Sequence, residues 1–417
     1  MTLGRPSANN FIIKTLTFTM FMMFAMTTDS VGVIIPEVIK AFHLSMTAAV
    51  AFHYANMSAI AVAAITLGFL ADLIGRKKTI IFGLSLFALN SYIFSVANSY
   101  SIFILLLVVS GAAIGIFKTG ALALIGDISH STMEHTSTMN LVEGFFGVGA
   151  IIGPAVVARL LVDGISWKWL YMIAGTMCVF LIITASLVQY PRTMKISAEP
   201  MDLPRTIRLL KNPYALGFSV ACFLYVSVEC AVYVWLPTYL IGHKPSSAFM
   251  AAYVVSFFFI LRAGGRFLGA WVLERYNWTS VLALFSGAIL TCFLGAMFGG
   301  ADATAFLLAL SGVFMSVIYP TLNSKGISCF PKSEHGAIAG ILLFFTCGGA
   351  AIGPLAMGAV SDIFGGLRAG FVLATAFSAL LFLGLLYNWV ANPTREILQR
   401  SDATEYGVFQ VKPSELV

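Results

Sequence analysis

A stretch of sixteen residues occurs twice in this chain, 200 positions apart, as MNLVEGFFGVGAIIGP from Met139 to Pro154 and as AGILLFFTCGGAAIGP from Ala339 to Pro354. Both copies end in G-x-x-x-G-P: Gly149, Gly153 and Pro154 in the first, Gly349, Gly353 and Pro354 in the second. Small residues four apart let another helix approach closely, and the proline bends or ends the helix that carries it. Each copy lies in an apolar run of about twenty residues, long enough to cross a bilayer. The repeat therefore predicts a membrane protein built from two related halves. The copies differ in their polar groups, because Asn140 and Glu143 of the first become Gly340 and Leu343 in the second. Of the two, only the first places a carboxylate in this helix.

The composition agrees. With 59% hydrophobic and only 10% charged residues among 417, the chain cannot hide its apolar surface in a soluble core. A net charge of +6 raises the question of nucleic acid, and the position of the charges answers it. About fifteen of the 24 Lys and Arg fall in the tails and alternate loops, about five in the opposite loops and about four within spans, which is the positive-inside pattern. No nucleic-acid partner is implied. Cys178, Cys222, Cys230, Cys292, Cys329 and Cys347 all lie in apolar runs and read as buried thiols, with no disulfide or metal-ligand spacing. The first span begins near Phe11 with no small-residue cleavage site before it, so no removable signal peptide is expected.

Apolar runs long enough to span fall near 11–36, 48–72, 78–97, 101–125, 138–160 and 168–190, and again near 214–240, 248–272, 278–299, 303–328, 336–360 and 368–391. The expected organisation is a six-helix half over 1–190, a central linker over 191–213, a second six-helix half over 214–392 and a tail over 393–417. The linker carries Arg192, Lys195, Arg205, Arg208 and Lys211, with a short surface helix expected from Leu203 to Lys211. An even number of spans with basic residues at both ends puts both termini in the cytoplasm. The tail after Pro393 is polar and expected to be disordered.

Between the second and third spans the chain reads GFLADLIGRKK, Gly68 to Lys78. Gly75 marks a tight turn, followed by Arg76, Lys77 and Lys78. Asp72 is placed to pair with a basic group or a helix N-terminus on a neighbour, a contact that must break and reform if that face opens. The matching stretch of the second half, Arg262 to Asn277, repeats the arrangement with Arg266, Gly269 and Arg275. Twelve spans in two sixes, a long basic central loop, G-x-x-A-D-x-x-G-R-K after span two and G-x-x-x-G-P in span five together resemble the major facilitator superfamily. The resemblance implies an all-α membrane fold of twelve transmembrane helices in two six-helix halves, with spans one and seven lining a central cavity. The gating or conformational candidates are Asp72, Gly75, Arg76, Arg266, Gly149, Gly153, Pro154, Gly353 and Pro354.

Span seven reads FLYVSVECAVYVWLPTYL, Phe223 to Leu240, and span ten reads SVIYPTLNSKG, Ser316 to Gly326. Within the superfamily these resemble the bacterial fucose, galactose and glucose/mannose permeases, which carry an aromatic F-L-Y-x-G-x-E-x run in span seven and a P-T segment in span ten. LVEGFFGVGA, Leu141 to Ala150, is similar to their glucose-permease members. Ser227 stands where the run has its glycine. The branch commonly has a carboxylate, in an L-E-T-like run, where this chain has Phe117, Lys118 and Thr119. That exchange of an acid for a base puts the branch's usual proton site in question.

An ionisable group at the centre of a span costs about 2.5 to 3.5 kcal/mol on insertion scales and tends to face a cavity or a partner. Five stand out: Asp29, Lys118, Glu143, Glu229 and Lys325. Asp29 lies seven residues before Pro36 and Glu229 eight before Pro237, nearly equivalent places in the two halves. Each is read as a binder of substrate hydroxyls or of a coupling proton, or as an outer-surface acid paired with a lysine. Tyr225, Glu229 and Tyr233 recur every four residues and are expected to share one helix face. Aromatic rings beside a carboxylate suit a sugar, although packing explains such a stripe as well.

Glu143 reads as the counter-ion of Lys118, forming a polar strip with Asn140 and Gly147. The pair then serves a proton-coupled switch, an anionic-substrate clamp or a permanent structural bridge. In span ten Pro320 opens the helix near Tyr319 and Asn323, making Asn323 a candidate sugar ligand, whereas Lys325 snorkels. Arg262 and Arg266 suit gate salt bridges. His53 and Asn56 share a face and read as packing or as ligands.

No nucleotide-binding loop, metal cluster or nucleophile with its base is present, so the chain reads as no enzyme and calls for no cofactor. The leading expectation is a monomeric secondary transporter in the inner membrane, importing a sugar or sugar-like solute with protons by alternating access. The rivals are uptake of an anionic sugar acid held by Lys118, proton-antiport efflux of small molecules, and a sensor that binds without translocating.

Overall fold

In a computed structural model the protein is described over residues 8–67, 70–128, 132–190, 209–243, 246–330 and 335–405. Among these there is no strand. Twelve helical segments are long and apolar enough to cross a membrane: Asn10–Phe42, Met46–Ala64, Arg76–Val96, Tyr100–Ile125, Leu141–Val162 and Trp169–Leu187, then Pro213–Gly242, Ala248–Leu273, Trp278–Phe298, Gly300–Ser328, Ile338–Phe364 and Leu367–Ala391. These are spans one to twelve below. The protein is thus an all-α, multi-pass membrane protein.

The two sixes pack by the same plan. Span one lies on span five, two on four, three on four and on six, and the counterparts seven on eleven, eight on ten, nine on ten and on twelve repeat it. The repeated glycines explain the first pairing in each set. A methyl at Gly149 would run into the Met22 carbonyl, and one at Gly153 into Met26 and Ser30. In the other half Gly349 meets Phe223 and Gly353 meets Ser227. The G-x-x-x-G pieces therefore clamp span five to span one and span eleven to span seven, inside each half rather than between halves.

Besides a break in span two at Val50, three spans are interrupted near a proline. Span one consists of Ala8–Thr28 and Val31–Phe42, broken at Asp29 and Ser30. Span seven runs as an α-helix over Pro213–Cys230, loosens into a π-helical turn over Ala231–Trp235 and resumes over Leu236–His243. Proline supplies no N–H, so Pro36 and Pro237 deprive the carbonyls four residues earlier, those of Gly32 and Tyr233, of their helical donors. Span ten breaks between Gly300–Met315 and Ile318–Ser328, ahead of Pro320.

The chain enters each six-helix set from one end, here the entry end, and the odd-numbered spans finish at the opposite, far end. The described hydrogen bonds between the two sets run from the far end to the middle. Asp362, at the close of span eleven, accepts from the backbone N–H groups of Met46 (2.9 Å) and Thr47 (2.8 Å) and from the Thr47 hydroxyl, at the start of span two. Nearer the middle, Ser256 donates to the Ile151 carbonyl at 3.1 Å. Toward the entry end the wall opens: Glu143 is exposed, and an added methyl at Gly144 or Gly147 would meet nothing within 4 Å.

Two expectations need correction. Span one is longer than its apolar core suggested, reaching Phe42, and span two ends earlier, with a separate turn over Leu70–Leu73. The tail expected to be disordered after Pro393 instead begins with a helix, Arg395–Glu405. Ile397 and Leu398 pack onto the core, and buried Thr394 donates to Asn388 at 3.2 Å, so two apolar residues and a buried hydroxyl outweigh the segment's polarity. The linker helix expected from Leu203 falls mostly on residues 191–208, outside the described ones.

Candidate functional site

The charged centre of the second half is an ion pair that the sequence did not announce. Glu229 on span seven and Arg262 on span eight meet at 2.6 Å, and the Glu229 side chain keeps only 8% of its exposure. Arg262 also faces the Tyr225 hydroxyl. Its Nε is buried without a hydrogen-bond acceptor among the described residues. Arg262, read from the sequence as suited to a gate salt bridge rather than to binding, makes its salt bridge to Glu229, because both sit at mid-span and neighbouring helices bring them together. Arg266, one turn on, is half-buried and forms no described ion pair, though it lies near enough to Glu229 to act on its charge.

Asp29 sits in the break of span one, 8% exposed. The Thr28 hydroxyl donates to its carboxylate at 2.9 Å, and no described cation lies within ion-pair distance. Arg262, Glu229 and Lys118 are still close enough to interact with it electrostatically. The two nearly equivalent acids thus lie near each other, on either side of the contact between spans one and seven.

Tyr225, Glu229 and Tyr233 all reach toward span eight, Tyr225 and Glu229 meeting Arg262 and Tyr233 packing against Phe259, one turn away on that span. A π-helical turn begins two residues after Glu229, between it and Tyr233. The Tyr225 hydroxyl donates to the Met315 carbonyl at 2.9 Å, the carbonyl set free by the break in span ten. Its ring stacks near that of Tyr319, 6.3 Å between centroids. Tyr233 touches the Cys230 thiol (3.0 Å) and packs its ring against His53 (5.7 Å) and Phe259 (5.6 Å). Both tyrosines are buried.

Lys118 and Glu143 are not paired. The Lys118 ammonium lies over the Phe146 ring, 5.3 Å from its centroid, a cation–π contact worth about 0.5 to 2 kcal/mol. Glu143, one turn before Phe146 on span five, turns its carboxylate toward the open side, where it comes near Tyr319. Tyr319, Asn323 and Lys325 are half-buried on the entry-end segment of span ten. Asn140 is helical, but its side chain is outside the described part, as is that of Asp72.

Of the conformational candidates, Gly75 adopts φ 88°, a left-handed turn that favours glycine, and Arg76 is buried at the start of span three. Pro154 and Pro354 are buried within their helices, and the Pro354 carbonyl accepts from the Trp235 indole at 3.0 Å. His53 is fully buried between the two sets of spans, 4.0 Å from the Cys230 sulfur. Sequence reasoning missed Asp362 altogether. Its signal was available only in retrospect, as an acid at a span end with Ser45, Met46 and Thr47 opening another helix across the molecule.

A model of the family described as Major Facilitator Superfamily matches residues 17–354. The L-fucose-proton symporter of Escherichia coli is 24% identical over 405 residues, covering 87% of this chain and 90% of that protein. A glucose/galactose transporter of Brucella abortus is 24% identical over 393 residues, covering 90% and 94%. Among solved structures, the nucleoside transporter NupG superposes with a TM-score of 0.72 at 14% identity, over 92% of this chain and 99% of that one. That last likeness speaks for the fold alone.

Proposed function

The chain belongs to the Major Facilitator Superfamily and is a transporter rather than an enzyme, and on that premise we propose that it imports a sugar or sugar-like polar solute by alternating access, coupled to protons. The observation that carries the reading is Asp29: a buried carboxylate at a helix break, held by one hydroxyl and by no described cation, is a group able to take up and give back a proton. The relatives named for fucose-proton symport and for glucose and galactose transport support the substrate class. Lys118, Asn140, Tyr319 and Asn323 are the residues assigned to substrate, with Glu143 beside them as a second proton acceptor. Tyr225, Tyr233 and Glu229 act through the groups they already hold. The entry end is assigned to the cytoplasm of an inner-membrane protein with both termini inside, so that the far-end contacts make this a cytoplasm-open state of a monomer.

One observation favours a second reading. Lys118 has no described carboxylate partner within ion-pair distance, and an ammonium so placed suits an anionic sugar acid.

The test is uptake into proteoliposomes under an imposed gradient, acid outside, with labelled neutral hexoses, deoxyhexoses, sugar acids and a lipophilic cation. Accumulation of a neutral sugar, with protons moving inward, is the expected result. Accumulation of acids alone would transfer the substrate to the Lys118 clamp, and expulsion of the cation would replace import by efflux.

A further inference from the structure

Span seven begins and span twelve ends at the entry end, and between them lies a groove of about 600 Å³, inside the range of about 300 to 1,000 Å³ usual for small-molecule sites. Buried Leu322, on the entry-end segment of span ten, Ile318–Ser328, forms its floor. Its walls include Val220 and Leu380, both exposed, and none of the residues described as lining it comes from the first half. The groove therefore opens on the bilayer-facing flank. Two glycines widen it: a methyl at Gly217 or at Gly384 would meet nothing within 4 Å. Glycine weakens a helix and is retained in spans where a neighbour must come close, and at these two no neighbour does. Thr17 and Thr184 stand 200 residues earlier, in the first half. Along span seven the groove runs from Pro213 to Leu224. At 1.5 Å per residue that is about 16 Å, the depth of one leaflet of a ~30 Å hydrocarbon core.

Polar groups gather at the rim. The Tyr214 hydroxyl donates to the Pro393 carbonyl at 3.2 Å and draws the start of span seven to the end of span twelve. The Thr394 hydroxyl donates to Asn388 Oδ1 at 3.2 Å, which leaves the Asn388 amide NH2 with no acceptor among the described residues. Exposed Lys211 stands two residues before Pro213, and exposed Arg395 directly follows Thr394. Against Glu396, the acid of the same turn, these two cations leave the rim positive. Lipid chains are as apolar as the walls, so the groove alone confers little preference and the rim selects the occupant. We propose that the groove is a binding site for one acyl chain of an anionic phospholipid, with its phosphate held at Lys211 and Arg395, and that the bound lipid fastens Ile318–Ser328 to spans seven and twelve. The site does not depend on which solute is carried, and its failure would leave sugar uptake standing.

The test is photolabelling of the full-length protein in phosphatidylcholine nanodiscs doped with a phosphatidylglycerol that carries a diazirine in its acyl chain, with labelled peptides read by mass spectrometry. Label is expected on Pro213–Leu224 and Leu380–Asn388 above the other bilayer-facing spans, competed by unlabelled phosphatidylglycerol and not by phosphatidylcholine. Lys211→Gln and Arg395→Gln should each weaken that competition about fivefold. Gly217→Leu and Gly384→Leu should fill the groove and remove the label without lowering the melting temperature. Amide exchange across Ile318–Ser328 should slow in wild type when phosphatidylglycerol is present, and should ignore it in Gly384→Leu. Label spread evenly over the flank, or displaced equally by phosphatidylcholine, overturns the proposal, and wild-type protein alone supplies that outcome should the leucine variants fail to fold. Exchange in wild type that ignores the lipid overturns the fastening. A dimer in native mass spectrometry that Gly384→Leu disperses would give the groove to a second copy and overturn the proposal as well.

Discussion

Gly32 and Tyr233 meet backbone to backbone across the two halves, each four residues ahead of a proline: a methyl on Gly32 would run into the Tyr233 carbonyl. Both are places where proline has left a helix short of a donor, and the contact joins the broken part of span one to the π-helical turn of span seven. Gly32→Val should therefore obstruct closure of the far end while leaving each half folded. An overpacking cost of about 1 to 3 kcal/mol would shift the balance of states about 5- to 150-fold. Transport should fall by about 5- to 150-fold with that shift, and a cysteine introduced at the far-end mouth should label faster. Unchanged labelling would mean that the far end closes without this contact.

Asp362→Ala removes a carboxylate that accepts three hydrogen bonds from Met46 and Thr47. Hydrogen bonds to charged groups are worth about 1.5 to 3 kcal/mol, less where they are exposed as here. The variant is expected to populate the far-end-open state more, measured by fluorescence distance between labels on spans two and eleven. A distance distribution identical to wild type would reduce Asp362 to a surface acid.

Gly153→Val and Gly147→Ala form a matched pair on one helix. The first drives a side chain into Met26 and Ser30, and the second enters open space. Gly153→Val should lower thermal stability in detergent by about 1 to 3 kcal/mol, and Gly147→Ala should leave it unchanged. Equal melting temperatures would contradict the clamp between spans one and five.

Lys118→Ala should abolish transport without unfolding the protein, because the loss of a cation–π contact costs at most about 2 kcal/mol. Uptake assays paired with melting curves check both halves of that statement. Wild-type uptake in this variant would remove Lys118 from the substrate site.

The twelve-span architecture was legible because hydropathy and the doubled G-x-x-x-G-P are local signals, and glycine spacing reports helix approach directly. Partnerships were less legible. Lys118 and Glu143 were matched by charge and adjacency in sequence, yet a carboxylate on a helix facing an open space prefers that space to a ring-packed lysine. Glu229 and Arg262 went unmatched because nothing in either helix records which residue of its neighbour stands at the same depth. The π-helical turn over Ala231–Trp235 was hidden for a different reason: it departs from the α-helical periodicity by which helix faces are read. The helix over Arg395–Glu405 was hidden by composition, since two large apolar residues among eleven suffice once a surface is there to receive them.

The hydroxyl of Tyr225 on the Met315 carbonyl ties the break in span ten to the helix that carries Glu229. Span ten is thereby divided into an upper rod, Gly300–Met315, and a lower rod, Ile318–Ser328, that meet at an anchored joint. Tyr319 and Asn323 ride on the lower rod. A few degrees of tilt there would sweep both side chains through the open space beside Glu143 while the ion pair above stays still, so the grip on a solute and the handling of charge can be set by separate moving parts.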